Sequence, residues 1–131
     1  MTERLNDAAR NRAADSVGDD FNSATLEIRT GTQPAAGGAA TGTLLVSMTL
    51  PADAMGAAST GIATKLGTWS GTAGNTGSAG WFRVISSAGG RWYDGAVTAT
   101  GGGGEIELST VSITSTQVIA LTSFTITQLA E

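Results

Sequence analysis

The chain has no cysteine and no histidine among its 131 residues. The first absence excludes a disulfide framework and thiolate chemistry, and it leaves the redox compartment open. The second removes the commonest general base and a frequent transition-metal ligand. Charge is also scarce, at 14% of residues, with 7 basic against 11 acidic side chains and a net charge of −4. Nucleic-acid binding relies on clustered Lys and Arg, and no such cluster exists here, so nucleic acid is excluded as a partner. No apolar run approaches the roughly eighteen residues of a membrane-spanning helix, so no membrane role is expected. The opening MTERLNDAARNR has neither the basic start nor the apolar stretch of a secretory signal, so the expectation is synthesis in the cytoplasm without export.

What is present is 40% hydrophobic residues, 19 glycines and many Thr and Ser. That is too apolar for a disordered chain and fits one domain with many tight turns. The charges are uneven. Eight fall in the first twenty residues (Glu3, Arg4, Asp7, Arg10, Arg12, Asp15, Asp19, Asp20), whereas Asp53 alone is charged between Thr30 and Thr64.

Residues 2–17 read as a helix capped at Thr2 and stopped at Gly18. Its thin stripe of Leu5, Ala9, Ala13 and Val17 is worth only about 2–4 kcal/mol of burial, so residues 1–20 are expected to act as an anchor arm needing a partner surface, on its own domain or on a neighbour. From Ala24 the period changes to two, and residues 21–131 read as a single β domain. Leu26 and Ile28 alternate inward against Glu27 and Arg29. Residues 31–42 form a Gly/Ala/Pro loop, and 43–50 a strand with Leu44, Val46, Met48 and Leu50 on one face. A weak strand covers 61–66. A hairpin joins 81–86 to 91–98 through Ser87-Ala-Gly-Gly90. Strands follow at 105–108, 110–114 and 116–128, the last with Val118, Ala120, Phe124 and Ile126 on one face. The fold class is therefore all-β: a β-sandwich or jelly-roll-like domain of about seven or eight short antiparallel strands with a short N-terminal helix.

The stretch TWSGTAGNTGSAGWFRV (68–84) sets glycines at 71, 74, 77 and 80 between two tryptophans. A phosphate loop needs a lysine after its glycines and a helix behind them, but Lys65 comes before and a strand follows. Four glycines without proline cannot support a collagen helix. The remaining site candidates are aromatic: Trp69, Trp81, Trp92 and Tyr93. Alternation sends one member of each adjacent aromatic pair outward, which favours a subunit contact over a sugar platform. Catalysis finds little support. No serine has a histidine partner and G-x-S-x-G is absent. The acids Asp94, Glu105 and Glu107 form no evident pair across a cleft. Asp19-Asp20 lacks a calcium-loop context. No cofactor or metal is expected.

Several segments also resemble small proteins from the structural gene regions of tailed bacteriophages: Glu27–Ala36, Thr41–Val46, Trp69–Thr72 with Gly77–Arg83, Leu108-Ser109 and Thr122–Thr127. The similarity spans most of residues 24–127, while the Ala/Arg/Asp-rich 1–20 differs from the more apolar opening of that group. The resemblance implies a non-enzymatic virion protein. It would be a homo-oligomeric capsid decoration (cement) protein contacting the major capsid protein, or else a neck, tail or fibre-base subunit. A carbohydrate-binding module reading host-surface glycans through exposed tryptophans is the alternative from another class.

Overall fold

The computed structural model describes residues 4–128, so the Thr2 cap lies outside the described residues. Helix α1 spans Asp7–Asp19. It starts there because Asn6 caps it, the Asn6 side-chain oxygen accepting from the Ala9 N–H at 3.0 Å. Gly18 does not stop the helix but lies inside it, buried. A Cβ at Gly18 would come within 3.3 Å of the Met55 Cβ, so close packing explains this glycine. The expected stripe is met only in its second half: Leu5 and Ala9 are exposed, Ala13 is half-buried and Val17 packs against the core, while Ala14 and Gly18 are the fully covered positions. The helix lies on its own domain. Asn11 Oδ1 accepts from the Gly61 N–H at 2.8 Å, Asp15 Oδ1 from the Ala58 N–H at 2.7 Å, and Arg10 Nε donates to the Gln128 carbonyl at 3.1 Å. These bonds tie residues 10–15 to the strand body rather than leaving them as a free arm.

Ten strands follow among the described residues: β1 Thr25–Thr30, β2 Leu44–Thr49, β3 Ile62–Thr64, β4 Trp69–Thr72, β5 Gly77–Ile85, β6 Trp92–Ala99, β7 Ile106–Leu108, β8 Ser112–Ile113, β9 Val118–Leu121 and β10 Thr125–Thr127. The chain is an all-β domain with one N-terminal helix. The main sheet runs β2-β1-β5-β6-β7, and β8 also pairs with the start of β5. At its far side β2 meets the segment after β4 through the antiparallel Val46↔Ala73 bridge, and β4 pairs with β9. Hydrogen-bonded neighbours therefore run in one curled order, β7-β6-β5-β1-β2-β4-β9. The β3–β10 pair carries α1 on its surface.

Three details depart from simple alternation. The pairing of β6 with β7 is parallel, because the connection through the second glycine run crosses back instead of turning tightly. The last three strands do not pair with one another; β8, β9 and β10 join β5, β4 and β3. Finally, β-bulges shift the phase of several strands. In β2 the register jumps between Arg29↔Leu44 and Ile28↔Val46, which buries Leu45 as well as Val46 and leaves Leu44 half-buried. Before β9, Thr116 takes a positive φ of 76°. Ala73 donates to the Gln117 carbonyl while its own carbonyl accepts from Thr116, a bulge that turns Ile119 and Leu121 inward and Val118 and Ala120 outward.

The core gathers Leu26, Ile28, Val84, Val97 and Ile106 from the sheet around an aromatic cluster. Phe21, Trp69 and Phe124 lie with ring centroids 5.4–6.2 Å apart, and Phe82 meets Phe124 edge-on at 5.8 Å. Phe21 and Ala14 bring the helix and its exit into this core.

Candidate functional site

Register places Glu27, Arg29, Trp81, Arg83, Trp92 and Asp94 together on the outer face of β1, β5 and β6, opposite the core side chains. This face is not open. Between Arg29 and Thr30 the β1–β5 register shifts, leaving Gly80 as an extra residue. A Cβ at Gly80 would collide with the Gly31 carbonyl oxygen, so only glycine lets the loop after β1 pass this close. Residues 31–42 then fold over the face, and the Trp81 Nε1–H donates to the Thr30 carbonyl at 3.1 Å.

Arg83 is the centre of the arrangement. It is only 5% exposed. Its Nε and Nη2 grip Asp94 in a two-pronged ion pair at 2.7 and 2.9 Å, and Nη2 also donates to the Gly38 carbonyl at 2.7 Å. The guanidinium carbon lies 5.3 Å from the Trp81 ring centroid and 4.9 Å from that of Trp92. The hydrogen bonds to Asp94 hold the Arg83 pKa above its usual value against the opposing effect of desolvation. Arg83 is not among the site candidates that the sequence offers. A signal was available: Ser86 and Arg91 close the hairpin, and counting outward from them sets Arg83 opposite Asp94.

The four aromatic candidates have separate environments. Trp69 is wholly buried in the core, its Nε1–H donating to the Leu66 carbonyl at 3.0 Å. Trp81 points to the outer face as alternation predicts, yet it too is wholly buried, because residues 31–42 cover it. Neither ring has surface to offer a subunit or a sugar. Trp92 is 40% exposed and borders a cleft of about 320 Å³ with Gln33, Pro34, Gly37 and Asp94. Tyr93 turns to the core side, with its ring 5.4 Å from Phe21. Its hydroxyl donates to Asp20 Oδ2 at 2.6 Å, and Arg91 reaches Asp20 Oδ1 at 3.0 Å. Burial and then the Asp20 bond push the Tyr93 pKa up to about 12. The Tyr93 hydroxyl, ahead of Arg91, lowers that of Asp20.

The remaining acids make structural bonds. Glu105 Oε2 accepts from the Ala96 N–H at 3.0 Å and Glu107 Oε2 from the Gly103 N–H at 2.9 Å, so both brace the β6–β7 crossover. Lys65 Nζ donates to the Gly67 carbonyl at 2.6 Å. No group of three or more Asp or Glu able to hold a metal ion occurs among the described residues, and no helix among them is long and apolar enough to cross a membrane. Comparison with protein-family models, with curated proteins and with solved structures finds no match to the chain.

Proposed function

We propose that the protein is a non-enzymatic structural component of a tailed-phage virion, made in the host cytoplasm. Within that class we read it as a capsid decoration protein that binds major capsid protein across neighbouring capsomers as a homo-oligomer. The observation that carries this reading is the Trp92 plate. An exposed indole is backed by a guanidinium locked to Asp94 and rimmed by the uncharged residues Gln33, Pro34 and Gly37. A rigid aromatic anchor with an uncharged surround is what a protein–protein contact uses. The phage resemblance of residues 24–127 supplies the context. The use of Asp94, Glu105 and Glu107 in structural hydrogen bonds argues against an acid–base pair.

The test mixes purified protein with undecorated heads. Saturable binding at symmetric capsid positions is expected, weakened about tenfold or more by Trp92→Ala, the loss typical of a central aromatic contact. No saturable binding to heads overturns decoration. Binding to isolated necks or tails instead moves the protein to that part of the particle.

A carbohydrate-binding reading rests on the same cleft, because Gln33 and Asp94 put polar side chains beside the indole. A glycan-array signal abolished by Trp92→Ala, together with head binding that Trp92→Ala leaves intact, would favour it.

A further inference from the structure

The curled strand order begins at β7 and ends at β9, and these two strands line one cleft of about 340 Å³, with Glu107, Leu108, Ser109 and Thr110 on one wall and Gln117 to Ala120 on the other. Each wall is an unpaired strand edge. The Ala73 N–H bond to the Gln117 carbonyl sets the alternation of the β4–β9 ladder. Gln117, Ile119 and Leu121 turn their backbone groups toward β4, and Val118 and Ala120 turn theirs into the cleft. On the other wall the Thr100 N–H donates to the Leu108 carbonyl at 3.0 Å, so Leu108 bonds toward β6 and Glu107 faces the opposite way. Among the described residues nothing pairs these outward backbone groups of Val118, Ala120 and Glu107.

We propose that this seam binds an extended, basic segment of another polypeptide, which adds as a strand between β7 and β9. Sheet edges left open in monomers are ordinarily blunted by lysine, proline or a covering loop. The edge Val118-Ile-Ala-Leu121 has none of these, and Val118 is 66% exposed, the most exposed large hydrophobic residue described. Two edges facing one cleft let a single inserted strand satisfy both, with main-chain bonds supplying affinity and alternate side chains supplying selectivity. Glu107 is the only charged residue lining the cleft, and Glu105 lies on the same crossover, so an acidic segment is repelled and a basic one attracted. The inserted side chains on one face would meet Leu108, Ile119 and Leu121 of the core. Nothing in this depends on the virion reading, and the two fail separately.

The test uses the full chain and two capped seven-residue peptides of alternating threonine and valine, one with lysine at both ends and one with glutamate. Amide exchange is followed by NMR. In the free protein the Val118, Ala120 and Glu107 amides should exchange fast, and those of Ile119 and Leu108 slowly. Adding the lysine peptide should slow the three fast amides about tenfold or more, whereas the glutamate peptide at equal concentration should slow them far less. Ala120→Pro removes one outward donor without breaking the ladder to β4 and should abolish the effect. If that variant fails to fold, Val118→Lys on the exposed face should abolish it instead. No slowing at these amides up to millimolar lysine peptide, or equal slowing in both variants, overturns the proposal. So does protection that rises with protein concentration alone, which would make the occupant a second copy of this chain.

Discussion

The Tyr93 hydroxyl donates to Asp20 at 2.6 Å, joining the residue that caps the helix C-terminus to a strand 73 residues later in the chain. Tyr93 is the only tyrosine in the sequence, so one chromophore reports this contact. Its pKa, raised from 10.0 to about 12, means the folded state holds the phenolic proton more tightly than the unfolded chain does. That stability is fully present below pH 10 and is lost as pH rises toward 12. A phenolate titration should find a midpoint near 12 in the folded protein, falling to about 10 in urea.

Asp20 sets the opposite limb. Its folded pKa is lowered, first by Tyr93 and then by Arg91, so its contribution is present above the unfolded value and is lost as pH falls through the folded one. Tyr93→Phe should therefore destabilise the protein by about 1–2 kcal/mol at neutral pH and flatten the acid limb below about pH 4. Urea unfolding at several pH values measures both effects.

Arg83→Lys tests the stacked pair on the outer face. Lysine keeps the charge but can neither grip Asp94 with two parallel bonds nor stack between Trp81 and Trp92. A loss of about 1–3 kcal/mol is expected. Arg83→Ala should cost more, about 3–5 kcal/mol, because Asp94 stays half-buried without its partner. Denaturant midpoints distinguish the two.

The glycines at 74 and 80 should respond very differently to alanine. Gly80→Ala drives a methyl group into the Gly31 carbonyl and should destabilise by several kcal/mol or shift residues 31–42 off Trp81. At Gly74 nothing lies within 4 Å of an added Cβ, so Gly74→Ala should stay within about 0.5 kcal/mol of wild type. Thermal melts of the two variants side by side check this.

Deleting residues 1–20 removes Ala14 from the core and the Asp20 bonds from Tyr93 and Arg91. The shortened chain should melt well below the full one, by more than about 8 °C, the shift that some 2 kcal/mol produces in a domain this size. An unchanged melting temperature would show that the helix contributes little to the domain.

Most of what could be read in advance follows from side-chain period. Leu26 and Ile28 against Glu27 and Arg29, and the hairpin closed by Ser87–Gly90, repeat with a period of two that the sheet obeys. Period fails wherever one extra residue enters a strand. The bulges at Leu45, Gly80 and Thr116 each shift the phase by one. Residues 116–128 are also not one strand: the chain leaves β9 at Leu121 and joins β3 from Thr125, so Val118 and Ala120 face solvent while Phe124 enters the core. Alternation also says which way Trp81 points but not what lies above it, because the covering residues 31–42 have no periodicity to read. The partners of β8, β9 and β10 are equally hidden, since strands of two to four residues carry no mark of the edge they join.

One pairing has a consequence for the order in which the molecule can be built. Ala63 sits opposite Ile126, and the Gln128 N–H donates to the Gly61 carbonyl at 2.7 Å, so β3 has no strand partner until the chain has been synthesised nearly to residue 128. The helix, made first, rests on that same pair. A nascent copy on the ribosome must therefore hold Ala63, Phe21 and the α1 surface uncovered through most of translation. Closure then comes late and over long sequence separations, which makes folding slow and leaves incomplete chains prone to associate.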